Sequence, residues 1–274
     1  MDRTLFTPPM IETFRVCRRA YQMAFLKPGT EKLTTSALCK RFLIKALGEI
    51  NRGRIVSIQQ AQKFLGQHWP ADKFNVGVTT DDAQHENIQA FRFVYRALTN
   101  YVGKPYKPDG ATVGAVNLRV RARIPHTRIY LEDSFDLILW HPNQRRLELV
   151  DFHLHPLKPF DAAWPSATFL VKHFLAERLR TRWPFDKLTI TFCQVKQESL
   201  TTTSVDIDEG VYRLHWPALF NTLEQMKDPQ DFAPHRSEAC KQCHFLADCM
   251  AMGTGGADDK DQDTAAAGHV CRSA

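Results

Sequence analysis

The sequence predicts an α/β fold in which a helical N-terminal portion precedes a mixed β-sheet flanked by helices. Apolar residues follow a helical period through the first hundred positions, and a period of two begins near residue 116. The 274 residues are 43% hydrophobic and 24% charged, which excludes wholesale disorder and fibrous repeats. We therefore expect one composite domain over residues 1–252 and a disordered Gly-, Ala- and Asp-rich tail over residues 253–274.

Residues 1–104 form the mainly helical part of this domain. The helix over residues 11–26 has apolar side chains at Ile11, Phe14 and Tyr21 with arginines between them, and Lys27-Pro28-Gly29 ends it. Apolar spacing of the same kind predicts further helices over residues 36–50, 57–68 and 81–102.

Residues 105–227 form the α/β core. Apolar and polar residues alternate over 116–124, and strands are also expected over 129–140, 146–152 and 188–195. Helices are predicted over 166–182 and 217–226, and residues 197–204 form a polar stretch. The sheet is therefore mixed, with helices between and after its strands.

The chain has a formal net charge of +6, which favours polyanionic partners. Alternation places Arg119, Arg121 and Arg123 on one strand face, where they could follow a phosphate backbone or could simply be solvated. Tyr130 and Trp183 lie near these charges and are candidates for stacking on unpaired bases. The sequence has no apolar run that would span a bilayer and no export signal, so we expect a cytoplasmic protein without a membrane partner.

Three clustered cysteines are the sharpest local signal, because Cys240, Cys243 and Cys249 lie within ten residues of a segment poor in bulky apolar side chains. Clusters of this kind usually ligate zinc or an iron–sulfur cluster, although reduced free thiols are the alternative. Arginines flank Cys17 and would lower its thiol pKa, which favours it as the fourth ligand. The other candidates are Cys39, Cys193, Cys271 and His244.

The run Phe14-Arg-Val-Cys-Arg-Arg-Ala-Tyr21, together with Phe-x-Pro-x5-Cys-x2-Cys-x-Phe-x3-Cys over residues 232–249, resembles the iron–sulfur branch of the PD-(D/E)XK nuclease superfamily. That branch includes RecB-like, AddB-like and CRISPR-associated RecB-type nucleases. The resemblance implies a restriction-endonuclease-like fold whose chain ends are joined by a [4Fe-4S] cluster, with zinc as the alternative. Its ligands would be Cys17, Cys240, Cys243 and Cys249.

The same resemblance implies a catalytic site for Mg²⁺ or Mn²⁺. Asp136 and Asp151 match the two metal-binding acids, and His153 stands where the family has its lysine. Lys158 or Lys172 could supply that lysine from a displaced position, or His153 could act with His155. Other departures from the family pattern are Asp133 for a glycine, Asn117 for an upstream glutamate, and Phe169 and His173 for the Gln and Tyr of the following helix.

The sequence therefore predicts an iron–sulfur protein that acts on DNA, single-stranded or at ends. The implied reaction is metal-dependent, exonuclease-like phosphodiester hydrolysis in repair, recombination or CRISPR-type processing. One alternative is a nuclease-dead scaffold of the same fold that binds DNA or a protein partner. Another is a zinc-stabilised interaction protein.

Overall fold

The computed structural model describes residues 4–26, 35–70, 80–154, 160–163, 165–227, 229, 232–243 and 245–253. Its strands are β1 (Thr4–Phe6), β2 (Thr112–Arg123), β3 (Ile129–His141), β4 (Arg146–His153), β5 (Lys187–Val195) and β6 (Leu200–Asp206). Its helices are α1 (Pro8–Val16), α2 (Arg18–Tyr21), α3 (Thr35–Asn51), α4 (Ile58–His68), α5 (Thr80–Gly103), α6 (Ala167–Ala176), α7 (Glu209–Lys227) and α8 (Leu246–Gly253).

The six strands form one mixed sheet in the order β1-β3-β4-β5-β6, with β2 paired to β3. The β2–β3, β3–β4 and β5–β6 pairs are antiparallel, whereas β1–β3 and β4–β5 are parallel. A parallel pair needs a crossover connection, and the chain between β4 and β5 contains α6. This crossover lays α6 across one face of the sheet.

Helices cover the sheet on two sides, and each side has its own apolar core. On one face α1, α6 and α7 pack against strand residues such as Leu131, Ile138 and Leu149. On the other face α3, α4 and α5 pack against Leu137, Leu139 and Val150. The predicted fold class is thus confirmed: a mixed sheet flanked by helices, after a helical N-terminal portion.

Most predicted elements lie within a few residues of their observed bounds, and the exceptions have physical causes. The helix predicted over residues 11–26 is broken at Cys17, which has extended dihedral angles (φ −159°, ψ 115°), and it continues as α2 and a π-helical turn over Gln22–Leu26. The helix predicted from residue 217 begins at Glu209 and contains Pro217. The polar stretch is partly strand β6, an edge strand whose residues are mostly exposed.

The prediction of one domain over residues 1–252 with a disordered tail stays a prediction, and residues 254–274 lie outside the described part of the chain. Among the helices that the structure describes, none combines the length and the apolar character needed to cross a membrane.

Candidate functional site

Asp136 and Asp151 lie side by side where β3 and β4 diverge. Leu137 and Val150 are the last paired residues of that ladder, so the two aspartates follow directly on adjacent strands. Asp136 Oδ2 accepts a hydrogen bond from the backbone N–H of Phe152 at 2.8 Å. Both carboxylates are buried. The fold therefore brings together the two acids that the sequence singled out.

Lys172 reaches these acids from α6. Its Nζ lies 3.0 Å from Asp151 Oδ1 and 2.9 Å from Asp133 Oδ2, and it donates to the backbone carbonyl of Ser134 at 3.0 Å. The side chain is only 2% exposed and lies over the ring of Phe135. Of the two displaced lysines considered above, the structure thus places Lys172 at the site. Lys158 and His155 lie outside the described residues.

Burial and charge act against each other within this cluster. Burial acts to lower the pKa of Lys172, but Asp151 and Asp133 outweigh it, so that pKa lies above its ordinary value. Burial raises the pKa of Asp133 despite the opposing effect of Lys172. Burial, reinforced by the neighbouring charge of Asp151, raises the pKa of Asp136 to about 7. Three carboxyl groups therefore lie around Lys172, which contacts two of them, and burial opposes the ionisation of Asp133 and Asp136.

His153 lies at the end of β4 and does not supply positive charge. Burial, with smaller effects from Lys40 and Lys172, lowers its pKa to about 3, so the imidazole is neutral at physiological pH. Its Nε2 is buried and has no hydrogen-bond partner among the described residues. Lys172 therefore places a positive charge against the acids, whereas His153 offers a neutral nitrogen.

Two further residues near the site escaped the sequence reasoning. Lys40 on α3 is one of them. Its positive charge helps to lower the pKa of His153, and it opposes in small part the rise in the pKa of Asp136. Gly48, also on α3, faces Asn117, and a Cβ at residue 48 would lie 2.6 Å from Asn117 Nδ2. No local motif marks either residue, since each acts only through the packing of α3 beside the sheet.

Asn117 lies on β2 opposite Asp136, between the Val116–Leu137 and Leu118–Phe135 pairs. Its φ of +52° is left-handed, a conformation that asparagine tolerates better than most residues.

The positions aligned with the family's Gln and Tyr have other contacts: Phe169 packs on Phe160, and His173 stacks on Tyr212.

The donor set at this site fits a hard divalent cation. Carboxylate oxygens are the ligands that Mg²⁺ and Mn²⁺ prefer, and the mutual repulsion of Asp136 and Asp151 is the kind of charge excess that such an ion relieves. No group of three or more His, Cys, Asp or Glu side chains among the described residues is arranged to hold a metal ion. Mg²⁺ is commonly bound by one or two carboxylates, with water and substrate phosphate as further ligands, so two aspartates suffice.

The four predicted cysteine ligands occupy one neighbourhood. Cys17 lies at the break between α1 and α2, and Cys240, Cys243 and Cys249 lie at the C-terminal end. Burial raises the pKa of the Cys243 thiol, and the nearby Cys17, Cys240 and Cys249 raise it further. Cys17 is thus close enough to Cys243 to affect its thiol, but the four cysteines, all within the described residues, are not arranged to hold a metal ion in this structure.

Four cysteine thiols are the donor set that both a [4Fe-4S] cluster and a zinc ion use. The two rival cysteines within the described residues, Cys39 and Cys193, are buried in the apolar core beside α3–α5, where burial raises their thiol pKa values. His244 and Cys271 lie outside the described residues. Of the candidates within the described residues, Cys17 is the one that affects the Cys243 thiol.

The basic strand face is partly neutralised. Arg119 and Arg121 both form ion pairs with the buried Glu132, at 2.5 and 2.6 Å. Arg123 remains exposed, and its backbone carbonyl accepts from Arg178 at 3.3 Å. Trp183 is buried, and a Cβ at Gly114 would lie 2.9 Å from its indole ring. The suggestion that Trp183 stacks on bases is therefore wrong, because its ring is covered by β2.

Comparison with known proteins supports the fold and does not assign a family. No protein-family model and no curated protein matches the chain. A solved structure from Eubacterium rectale, named "Putative exonuclease", is similar, with a TM-score of 0.50 and 10% identity over 95% of this chain and 91% of that one. The solved structure of SSO0001 overlaps 77% of this chain and 94% of that chain at 10% identity, with a TM-score of 0.28. At this identity the first similarity shows a shared fold.

Proposed function

We propose that this protein is a divalent-metal-dependent DNA nuclease of the PD-(D/E)XK type in which Lys172 replaces the motif lysine lost at His153. The observation that carries the proposal is the contact of Lys172 Nζ with Asp151 Oδ1 at 3.0 Å, beside Asp136. A lysine next to two metal-binding acids is the combination that the family pattern requires. Here α6 supplies it across the sheet.

Each residue has a separate task in this proposal. Asp136 and Asp151 would hold the cation, which when bound lowers the pKa of a water molecule and neutralises charge on the scissile phosphate. Lys172 orients the nucleophile or the phosphate through its ammonium group. Asp133 is a positioning residue, because it holds Lys172 Nζ at 2.9 Å. His153, neutral and without a partner at Nε2 among the described residues, offers a hydrogen-bond acceptor or donor at the same edge.

We further propose that Cys17, Cys240, Cys243 and Cys249 hold a [4Fe-4S] cluster that joins the two ends of the chain. The effect of Cys17 on the Cys243 thiol supports this, because these two cysteines lie far apart in the sequence. The cluster would be structural, stabilising the fold by constraining the two ends of the chain.

The name of the Eubacterium rectale neighbour supports an exonuclease-like reaction. We propose DNA as the substrate, single-stranded or at ends, in the cytoplasm, within repair, recombination or CRISPR-type processing. A protein partner from one of those complexes belongs to the same proposal.

A cleavage assay tests the nuclease proposal. End-labelled single-stranded and duplex DNA are incubated with Mg²⁺ or Mn²⁺ and with the wild type, Asp136→Ala, Lys172→Met or the exposed control Asp109→Asn. We expect digestion by the wild type and the control, and a loss of at least about 100-fold in the two site variants. Circular dichroism confirms that each variant is folded. A wild type that digests no DNA form with either ion would overturn the proposal.

A nuclease-dead scaffold is the second candidate, and one observation favours it. Lys172 already forms ion pairs with Asp133 and Asp151, so it compensates part of the charge that a cation would otherwise balance. The scaffold predicts salt-sensitive DNA binding that survives Asp136→Ala, without cleavage by the wild type.

A further inference from the structure

A groove lies away from the acidic site, between α6, α7 and the turn that connects β2 to β3. Its volume is about 460 Å³, and its lining is apolar and largely aromatic. The lining residues are Ile124, Pro125, Phe174, Tyr212, Trp216 and Phe220. The neighbouring strand turn and helices thus present a ring-lined surface at the protein exterior.

The rings in this groove form a continuous ladder. Trp216 stacks on Phe174 with ring centroids 5.1 Å apart and an interplanar angle of 20°. Tyr212 lies 5.1 Å from Trp216 and stacks on His173 at 4.0 Å. Tyr212 and Trp216 are only half-buried. Because their ring orientation is fixed by neighbours, these two side chains can receive a further ring with little loss of rotamer freedom.

Unpaired positive charge borders the Phe174 end of the ladder, within the described residues. The Arg178 guanidinium lies 5.9 Å from the Phe174 ring centroid and donates to the carbonyl of Arg123. Arg123 and Arg128 are exposed at the strand turn. Within the described part of the chain, none of these three arginines forms an ion pair, whereas the nearby Glu177 and Glu209 pair with Arg180 and Arg213.

We propose that this groove binds single-stranded DNA, with bases stacked on Trp216 and Tyr212 and phosphates contacted by Arg178, Arg123 and Arg128. Aromatic faces beside a basic surface bind unpaired strands, because every base has a π-face and every phosphate is anionic. A duplex keeps its bases stacked on each other, so it gains only the charge contribution. The choice of DNA rests on the proposed nuclease function.

The groove and the acidic site share α6. Lys172 points into the sheet, and Phe174, two residues later, contributes to the groove on the other side of the helix. Ile129 at the strand turn and Asp133 are four residues apart on β3, about 13 Å along the strand. Single-stranded DNA held in the groove is therefore anchored close to the acidic site without filling that site.

Binding without cleavage tests this proposal. Fluorescence anisotropy in EDTA measures the affinity of a labelled 20-nucleotide single strand and of the matching duplex for the wild type, Trp216→Leu, Trp216→Phe and Arg178→Ala. Arg213→Ala is the charge control, because Arg213 is equally exposed on α7 but pairs with Glu209. We expect Trp216→Leu to weaken single-strand binding by about 5- to 150-fold, the range for loss of one stacked base, and duplex binding to change little. Trp216→Phe should retain most of the affinity.

Arg178→Ala should weaken single-strand binding and reduce its salt dependence, and Arg213→Ala should do neither. The proposal is overturned if the wild type binds no single strand, which would leave a peptide as the occupant, or if Trp216→Leu weakens both DNA forms equally. Cleavage is scored separately with Mg²⁺ or Mn²⁺. Preferential single-strand binding without cleavage would refute the nuclease proposal and support the groove proposal. Cleavage by the wild type, together with unchanged DNA binding by Trp216→Leu, would support the nuclease proposal and refute the groove proposal.

Discussion

Replacing Asp136 by asparagine tests whether the acidic site is built for a cation, independently of catalysis. The carboxyl is buried beside Asp151, and its pKa rises from 3.8 to about 7. Asparagine keeps the shape and can still accept the hydrogen bond from Phe152 N–H, but it carries no charge. The substitution therefore removes the electrostatic cost while the packing stays the same.

The expected pH dependence follows from the direction of that pKa shift. Between pH 4 and 7 the unfolded chain loses the Asp136 proton while the folded protein retains it, so the free energy of unfolding of the wild type falls as pH rises. A shift from 3.8 to about 7 corresponds to about 4 kcal/mol at pH 8. We expect Asp136→Asn to be more stable than the wild type by about 2–4 kcal/mol at pH 8 and nearly equal to it at pH 4.

Urea unfolding in EDTA, followed by tryptophan fluorescence from pH 4 to 8, measures this difference. Asp109→Asn, the same substitution on an exposed turn, is the matched control and should follow the wild type. Addition of Mg²⁺ at about 100 times its dissociation constant should stabilise the wild type by about 2.7 kcal/mol and leave Asp136→Asn unchanged. Parallel stability curves for wild type and Asp136→Asn, with no selective effect of Mg²⁺, would refute the reasoning.

Three further predictions concern other parts of the molecule. Lys172→Met should lower the free energy of unfolding by about 3–5 kcal/mol, because buried carboxylates lose their counter-charge; urea titration checks this, and an unchanged midpoint would contradict it. Protein purified without oxygen should be brown with about four irons, lost in Cys17→Ser, whereas a colourless protein with one zinc would exclude the cluster. Glu148→Ala should cost about 3–5 kcal/mol in the same titration, since Glu148 accepts from Tyr106 and Thr191 at 2.7 Å and contacts the buried His141; a loss below about 1 kcal/mol would show that this network contributes little.

The acidic site shows where sequence reasoning succeeds and where it stops. Asp136 and Asp151 were predicted from the resemblance to the family motif, and the structure places them on the adjacent strands β3 and β4. Lys172 was one of two lysines considered as substitutes for the motif lysine. The sequence could not choose between them, because helical periodicity does not show which polar side chain will contact which strand. Asp133 was read only as a lost glycine, although it contacts Lys172. The pairing depends on how α6 crosses the sheet.

The surface shows the same limit. The arginines of β2 were correctly placed on one face, but two of them share the buried Glu132, a partner on the next strand. Trp183 was a candidate for stacking on bases, but its ring is covered. Trp216 and Tyr212 in α7 were not candidates, although they lie together in the groove. Exposure of an aromatic ring depends on its neighbours in space, which periodicity along the chain does not encode.

By itself, the sequence determined the helices, the central strands and the spacing of the C-terminal cysteines. These features depend on local periodicity and on residues close together in the chain. Only the tertiary structure placed Lys172 at the acids, Cys17 beside Cys243 and the aromatic ladder beside Arg178. Each of these requires distant segments to meet, and packing against the sheet decides which ones do.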